Sequence, residues 1–303
     1  MKNYLLLVIL YFFAALTFCY GNSLPDTLTV GIYDNHPKVF VDDDMQPKGI
    51  FVDIITYIAE KEGWQLKFEY GEWDELLKKL QNGEIDIMPD VAFTPSRDSL
   101  YTFNAVPVLE SWVQAFSLKG ASYLTSDDLN GKKIAVLEGS VQEQILRDMM
   151  ADSVISGCIL YTYKNYSETA ASIVNRETDV MIASRFFGFS AQKWKEVVST
   201  PLVFRSSQLF FCYTRNRYPL LPALTDKWLS TLINDPKSLY YESLERWLNQ
   251  KPFGTVPVYL QWIIYTGIIL LAAFFIFMII LRRMVKERTR QLRQKNEELE
   301  EAR

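Results

Sequence analysis

Residues that could hold a metal or carry a proton in catalysis are few in this sequence. His36 is the only histidine, and no cysteine cluster accompanies it, so a transition-metal site is not expected. The run Asp42–Asp44 could suggest calcium, but the spacing of an EF-hand loop is absent. A solvated hairpin turn before Gln46 fits this run better. No acid–base pair stands out, so the sequence predicts no catalytic residue, no metal and no cofactor.

The elements that would position such residues alternate along the chain from Thr27 onward. Apolar runs predict strands at 28–33, 65–70, 85–88, 132–137, 158–163, 180–183 and 208–214. Helical spacing predicts helices at 49–62, 73–80, 139–150, 167–177, 219–233 and 236–249. Strands separated by helices of this length favour a parallel sheet in an α/β fold. Two such units joined near 108–117 predict two lobes with a cleft between them.

An uncharged run from Tyr4 to Phe18 follows Lys2 at the start of the chain. Its length is typical of a signal-peptide core and is too short to cross a bilayer. Small residues favour cleavage after Gly21, so residues 1–21 are interpreted as a signal peptide. A lipid-modified Cys19 and an uncleaved anchor are the alternatives.

A second apolar run, from Val258 to Leu281, carries no charge and would measure roughly 36 Å as a helix, enough to span a membrane. Arg282, Arg283 and further basic residues follow it directly. This asymmetry places the C-terminal side in the cytoplasm. The sequence therefore predicts a single-pass protein of the inner (cytoplasmic) membrane, with residues 22–257 on the periplasmic, extracytoplasmic side.

The exported part is acidic, although the whole chain carries a net charge of only −4. The excess of acidic residues argues against nucleic acid as a partner. Cys158 and Cys212 both lie in this part, where the compartment is oxidising. They could form a disulfide or remain two buried thiols, and the sequence leaves both possibilities open.

Residues 282–303 after the apolar run are highly charged. Val285, Leu292 and Leu299 recur seven residues apart, and Asn296 falls at the other core position of the heptad. This pattern predicts a cytoplasmic signalling helix that forms a coiled coil, and a homodimer through residues 285–299. A solvated charged helix is the alternative, because fewer than three heptads are present.

The exported segment resembles the family 3 solute-binding proteins, which have the type II periplasmic-binding-protein fold. The resemblance rests on GIFVDI, WDELLKKLQNGEIDI, TPSR, LNGKKIAVLEGS and YYESLERWL. It implies a two-lobed solute-binding domain over residues 27–250. Lobe 1 would comprise residues 27–110 and 218–250, and lobe 2 residues 111–217.

The same resemblance implies where a ligand binds. The arginine after Thr-Pro-x grips a ligand carboxylate in that family, and here it is Arg97. A guanidinium offers a fixed pair of donors to a planar carboxylate, although a surface ion pair with Asp98 is the alternative. Gly139 and Ser140 fall where the family places a helix N-terminus against the same anion. Plain helix capping by Ser140 is the alternative there, and the two roles are compatible.

One departure from the family pattern concerns the ligand. Amino-acid binders of this family usually carry an aspartate where Ser184 stands, followed here by Arg185, and the small polar position before Arg97 is Ala92. Asp90 could supply a negative group instead. The sequence therefore favours a carboxylate-bearing small molecule with little positive charge over a free α-amino acid.

Aromatic residues are expected at the mouth of the cleft. Tyr33, Trp73 and Trp112 are the candidates, because such clefts use flat apolar walls with few polar anchors. Trp73 opens a predicted helix where the family often places an aromatic residue against the ligand. Packing in the core is the alternative for Trp73.

Three functions follow from these features. The leading hypothesis is an input module of a membrane receptor, because residues 282–303 also resemble the linker after the last span of sensor histidine kinases and diguanylate cyclases. No phospho-accepting histidine or nucleotide-binding glycine motif is present in that segment. A binding protein of an ABC-type importer, for amino acids or organic acids, shares every exported motif. An enzyme on the same fold is the least favoured hypothesis.

Overall fold

A computed structural model describes residues 25–190, 194–248 and 258–301. The described residues fall into two compact units, one that ends at residue 248 and one that begins at residue 258. The predicted signal peptide at 1–21 and the connection at 250–257 lie outside the described residues.

The first lobe alternates strands and helices as predicted. Its elements are β1 (Thr27–Ile32), α1 (Ile50–Glu62), β4 (Gln65–Tyr70), α2 (Trp73–Asn82) and β5 (Ile87–Ala92). Between β1 and α1, β2 (Phe40–Val41) and β3 (Pro47–Lys48) form a small hairpin. Asp42 closes its turn by accepting hydrogen bonds from the backbone amides of Asp44 and Gln46. The acidic run is thus part of a hairpin turn, as the sequence favoured.

The second lobe repeats the alternation. Its elements are β8 (Lys133–Leu137), α4 (Val141–Ala151), β9 (Ile159–Tyr163), α5 (Tyr166–Val174) and β10 (Val180–Ser184). Short 3₁₀ turns lie at Ser126–Leu129 and Arg185–Ser190. Twelve buried apolar residues between Val113 and Leu202 form a separate hydrophobic cluster, so this lobe has a core of its own.

One mixed sheet runs through both lobes in the order β4-β1-β5-β11-β7-β10-β8-β9. Here β7 (Leu109–Leu118) and β11 (Val197–Thr214) are the long central strands, and β6 (Tyr101–Phe103) pairs with β11 after the short helix α3 (Pro95–Asp98). Pairing is parallel within each lobe, but β11 runs antiparallel to β5 and β7, and β7 antiparallel to β10. The two-lobed α/β fold is confirmed, whereas the all-parallel sheet is wrong.

The central strands were under-predicted for a physical reason. Only a joining segment at 108–117 and a strand beginning at Gln208 were predicted from the sequence. In β11, however, residues from Val197 to Leu209 pair with β7, and those from Leu209 to Tyr213 pair with β5. The early part of β11 is rich in serine, threonine and arginine and is partly exposed, so its pairing leaves little trace in hydrophobic periodicity.

Cys158 and Cys212 are free thiols. Cys212 is buried in β11, and this burial raises the pKa of its thiol far above the usual range. Cys158 is partly buried and donates a hydrogen bond to the carbonyl of Leu129 at 3.1 Å. The sequence left open a disulfide or two unpaired thiols, and in the structure Cys158 and Cys212 are unpaired.

Two helices end the first unit and pack on α1. They are α6 (Leu221–Asn234) and α7 (Leu239–Leu248). Asp53 of α1 accepts hydrogen bonds from Ser243 Oγ at 2.7 Å and Trp247 Nε1 at 2.8 Å, and Arg246 lies 3.3 Å away. The Trp247 ring also contacts Phe40, with ring centroids 5.4 Å apart. One carboxylate therefore fixes α7, the last described element before residue 250.

Replacing Asp53 with alanine is expected to lower the free energy of unfolding by about 2 kcal/mol, because partly buried donors of Ser243 and Trp247 lose their acceptor. Denaturant titration of the full chain in detergent, followed by tryptophan fluorescence, measures this loss. Asp43→Ala on the exposed hairpin turn is the matched control and should stay within about 0.5 kcal/mol of wild type. Equal stability of both variants would contradict the role of Asp53.

The second unit contains one uninterrupted helix, α8 (Val258–Glu301). Within Trp262–Arg290, an 18-residue window has a mean hydropathy of 2.8, and none of that window is buried within the chain. By length and composition this helix is a candidate membrane span. It contains the predicted span 258–281, and the backbone of the charged segment continues the same helix to Glu301.

Candidate functional site

A small cavity of about 30 Å³ lies between the two lobes. Its polar and aromatic lining from lobe 1 is Tyr33, Asn35, Lys38, Trp73, Asp90 and Arg97. From lobe 2 come Ser140, Gln142, Tyr166 and Ser184, and from the central strands Ser111 and Ser207. Six of the predicted site residues meet here: Tyr33, Trp73, Asp90, Arg97, Ser140 and Ser184.

Arg97 lies in α3, directly after the end of β5. Thr94 caps this turn by accepting a hydrogen bond from the Arg97 amide at 3.2 Å. The guanidinium donates through Nη1 to the carbonyl of Ala92 at 3.0 Å and through Nη2 to the carbonyl of Gly139 at 2.9 Å. Burial lowers the pKa of Arg97 from its usual value, but arginine remains charged at neutral pH. A cation held by backbone carbonyls of both lobes thus faces the cavity.

The start of α4 faces the same cavity from lobe 2. Ser140 is the N-cap, and its Oγ accepts a hydrogen bond from the amide of Glu143 at 3.2 Å. Val141 and Gln142 form the first turn and line the cavity. Amides of a first helical turn have no partner within the helix, and the helix dipole favours an anion beside them. Ser140 is therefore a helix cap and a cavity residue at once.

Gly139 shapes the contact between the lobes. Its φ of 68° lies in the left-handed region, and its carbonyl accepts hydrogen bonds from Arg97 and from Trp73 Nε1, the latter at 3.4 Å. A Cβ at this position would lie 2.9 Å from Oδ1 of Asp74 in lobe 1. A side chain at this position would displace the end of the flexible Asp74 side chain, and its φ favours glycine.

Further hydrogen bonds cross between the lobes. Asn165 Nδ2 donates to Glu72 Oε1 at 3.2 Å, and Ser167 Oγ donates to Asp34 Oδ2 at 3.4 Å. Together with the Arg97 contact to Gly139, they hold the lobes together around the cavity. The lobes are therefore closed in this structure.

A buried ion pair lies on the lobe 1 side of the cavity. Lys38 Nζ is 2.7 Å from Oδ1 and 2.6 Å from Oδ2 of Asp90, and these side chains are only 3% and 0% exposed. Burial lowers the pKa of Lys38, and the Asp90 carboxylate opposes that shift. Asp90 itself has a φ of 60°, an uncommon conformation for a residue other than glycine. Such strain often marks a functional site.

Neutral donors complete the environment of Asp90. Tyr33 donates its hydroxyl to Oδ2 at 2.6 Å, and Asn35 Nδ2 donates to the same oxygen at 2.7 Å. Burial, followed by the Asp90 charge, raises the pKa of Tyr33 well above its usual value, so this phenol stays protonated. The Tyr33 ring also packs on Trp73, with ring centroids 4.7 Å apart. Trp73 is therefore both a cavity wall and a buried residue.

The structure separates three predicted site residues from the cavity lining. Gly139 contributes its carbonyl to the lobe contact beside the cavity. Arg185 stacks on Trp112, with the guanidinium carbon 4.3 Å from the ring centroid, and neither residue lines the cavity. Trp112 is 37% exposed. Ser184 does line the cavity, where its hydroxyl lies 2.9 Å from that of Ser111.

No group of three or more histidine, cysteine, aspartate or glutamate residues is arranged to hold a metal ion within the described part of the chain. The cavity instead carries two basic groups, Lys38 and Arg97, and one acidic group, Asp90. Serine, tyrosine and amide side chains make up the rest of its polar lining. This composition suits the binding of a small polar anion.

Comparison with known families identifies the domain. Residues 28–301 match the model of the bacterial extracellular solute-binding proteins, family 3. The chain belongs to this family. Membership in a family of solute-binding proteins confirms both the two-lobed fold and the expectation that the family 3 domain is not an enzyme.

Curated relatives of this family 3 protein are binding proteins. The amino-acid-binding protein AabA of Dichelobacter nodosus is 26% identical over 184 residues, which cover 58% of this chain and 71% of AabA. The L-cystine-binding protein TcyJ of Escherichia coli (strain K12) is 32% identical over 125 residues, or 40% of this chain. That alignment spans only 47% of TcyJ, less than half of its length.

Solved structures share the fold of the family 3 domain. The P235GK mutant of ArgBP from T. maritima superposes with a TM-score of 0.67 at 21% identity, covering 74% of this chain and 96% of that chain. A histidine kinase sensor domain with similarity to periplasmic binding proteins gives 0.64 at 18% identity, covering 73% and 96%. At these identities the likeness establishes the fold alone.

Sequence reasoning missed several residues of the family 3 site. Lys38, Asn35 and Tyr166 line the cavity but lie in predicted turns or at a helix start without a motif. Lys38 gave no signal by itself, because a lysine must be paired only when it is buried, and its position before Val39 and Phe40 does not reveal burial. Its partner Asp90 was separated by more than fifty residues, so only the fold brings the two together.

Gly139→Ala is expected to weaken ligand binding by about threefold, because the Asp74 carboxylate of lobe 1 must move away from the added Cβ before the lobes close. Gly63→Ala is the matched control: its φ is 75°, but no atom lies within 4 Å of the added carbon. Both variants should lose about 1 kcal/mol of stability from backbone strain, while only Gly139→Ala should lose affinity. Titration calorimetry on the full chain measures the affinity, and equal affinities would contradict the steric argument.

Proposed function

We propose that this chain is the extracytoplasmic sensing module of a transmembrane signalling receptor. The family 3 domain closes its two lobes on a carboxylate-bearing small molecule. Helix α8 crosses the inner membrane once, and its charged continuation forms a dimeric coiled coil that passes the signal on. The signal peptide at 1–21 would be removed, which leaves the binding domain in the periplasm.

The observation that carries this proposal is the continuity of α8. The helix runs without interruption from Val258 through the apolar segment Trp262–Arg290 to Glu301. A binding protein that only delivers solute needs neither an apolar span nor a rigid charged extension behind it. A helix that joins the two can carry a displacement from one side of a membrane to the other.

The binding step is supported by the geometry of the cavity. Arg97 and the first turn of α4 face the same space from opposite lobes. A carboxylate between them would satisfy the guanidinium and the free amides together. The ligand would thereby bind the closed arrangement more tightly than the open one, and only this difference can shift the conformational equilibrium.

Coupling to the membrane helix would begin at α7. The loop that carries Asn35 and Lys38 to the cavity also carries His36 and Phe40, whose rings contact Trp247 of α7. Residues that follow α7 lead to the connection at 250–257. A shift of this loop on ligand binding would therefore reach the last helix of the domain.

The dimer proposal rests on the heptad pattern of the helical segment. Val285, Leu292 and Leu299 repeat every seven residues in a backbone that is helical throughout. Single cysteines at these three positions should crosslink in membranes under mild oxidation, compared with the parent chain as baseline. Cysteine at Lys286, off the repeat, should crosslink much less. Equal crosslinking at all four positions would contradict the proposed coiled-coil interface.

A binding protein of an ABC-type importer is the second candidate. It is favoured by relatives such as the putative amino-acid ABC transporter-binding protein PatH of Vibrio harveyi, 31% identical over 122 residues. Fractionation of cells expressing the full chain separates the two functions. Retention in the membrane after alkaline carbonate washing supports the receptor, and release with the periplasmic contents would support the importer.

A further inference from the structure

The wall of the cavity includes an ammonium group of the protein itself, that of Lys38. Lys38 lines the cavity, is only 2% exposed, and places Nζ within 2.7 Å of both carboxylate oxygens of Asp90. Removing two charges from water is costly, and a buried ion pair is weak evidence for stability. Its position on the wall of a binding cavity points instead to a role in recognition.

Both carboxylate oxygens of Asp90 are already paired with groups of the protein. Oδ2 accepts hydrogen bonds from Tyr33 and Asn35 and also contacts Lys38, while Oδ1 accepts from Lys38. The Asp90 side chain is fully buried. Asp90 is also the only acidic residue that lines the cavity. A cationic group on a ligand would therefore meet no free carboxylate among the lining residues.

The charges of the cavity then decide which ligands fit. Lys38 and Asp90 cancel, so Arg97 leaves one uncompensated positive charge. A ligand with one carboxylate and no amine neutralises that charge. A zwitterionic amino acid also supplies the carboxylate, but its ammonium group would be buried without a partner, which costs binding free energy.

We propose that Lys38 is a specificity-determining residue that occupies, with its own ammonium, the place beside Asp90 where a ligand ammonium would bind. The site consequently takes monoanionic carboxylic acids without a charged amine. Hydroxyl or amide groups on such a ligand would meet Ser111, Ser184, Ser207 or Gln142. This inference rests on the proposed binding of a carboxylate by Arg97.

Matched pairs of acids test the inference on the wild-type chain. Each pair consists of an L-α-amino acid and the 2-hydroxy acid with the same side chain, such as alanine and lactate, leucine and 2-hydroxyisocaproate, or phenylalanine and phenyllactate. Thermal unfolding of the full chain in detergent ranks them, and titration calorimetry measures the affinities. We expect a 2-hydroxy acid to bind about 100-fold more tightly than its amino-acid partner.

Removing the internal ammonium should reverse this preference. In Lys38→Met, Asp90 becomes available to a ligand ammonium, so the ratio of affinities should move towards the amino acid by about 100-fold or more. The double variant Lys38→Met/Asp90→Asn lacks both charges and should show no gain for amino acids. If Lys38→Met does not fold, the ratio of affinities measured with the wild-type chain still decides whether the site excludes a charged amine.

The outcomes separate this inference from the proposed function. If wild type binds an amino acid as tightly as its 2-hydroxy partner, and Arg97→Ala abolishes that binding, the inference falls while the carboxylate site stands. An unchanged preference in folded Lys38→Met would also overturn it. If no acid of either panel stabilises the wild-type chain, the inference and the proposed carboxylate site both fall.

Discussion

Replacing Arg97 with alanine is expected to weaken binding of the preferred acid by about 100-fold or more, because a buried charged hydrogen-bonding partner of the carboxylate is lost. The guanidinium is held in place by the carbonyls of Ala92 and Gly139. Ala92 lies in the same lobe as Arg97, so its carbonyl can orient the guanidinium before the lobes close, and less of the binding free energy is spent on ordering it. Titration calorimetry with the best-binding acid of the panel measures the loss.

Two further variants serve as controls for the loss of affinity in Arg97→Ala. Arg97→Lys keeps the positive charge but loses the paired donors, so it should recover only part of the lost affinity. Arg185→Ala removes a guanidinium that stacks on Trp112 away from the cavity lining, and it should change the affinity by less than about threefold. A large loss in Arg185→Ala with none in Arg97→Ala would place the carboxylate elsewhere.

Much of the fold could be predicted because its signals are local. Hydrophobic runs and helix starts located β1, α1, β4 and α2 to within a few residues, and the repeat of this alternation implied the second lobe. The central strands β7 and β11 were harder, because their pairing joins residues distant in sequence. Their antiparallel direction is a property of the whole sheet and has no local signature.

The residues of the site likewise differ in whether a local sequence motif could predict them. Arg97 and Ser140 were predictable because each lies within a short motif at the end of a strand. Trp112 and Arg185 were plausible from their neighbours, but their side chains stack on each other outside the cavity lining. Lys38 and Asp90 formed no motif, and the charge balance of the cavity depends on their pairing. The sequence favoured a ligand with little positive charge, but it did not predict Lys38, whose ammonium group pairs with Asp90 in the cavity wall.

Lys38→Met is expected to lower the free energy of unfolding by about 3–5 kcal/mol, the usual cost of leaving one member of a buried ion pair without its partner. Asp90 would keep its hydrogen bonds from Tyr33 and Asn35, but its charge would face an apolar side chain. Denaturant titration of the full chain in detergent, without added acids, measures the loss. Stability equal to that of wild type would mean that the ion pair does not form.

The double variant Lys38→Met/Asp90→Asn should recover most of this stability, because it removes the buried charge that the single variant leaves without a partner. Asparagine tolerates the left-handed conformation that Asp90 adopts at a φ of 60°, so the second substitution adds little backbone strain. A double variant as unstable as Lys38→Met would assign the loss to the packing of Lys38 rather than to its charge. If recovery is nearly complete, folding does not require the pair, and the reason for burying two charges beside the cavity must lie in the ligand that the cavity selects.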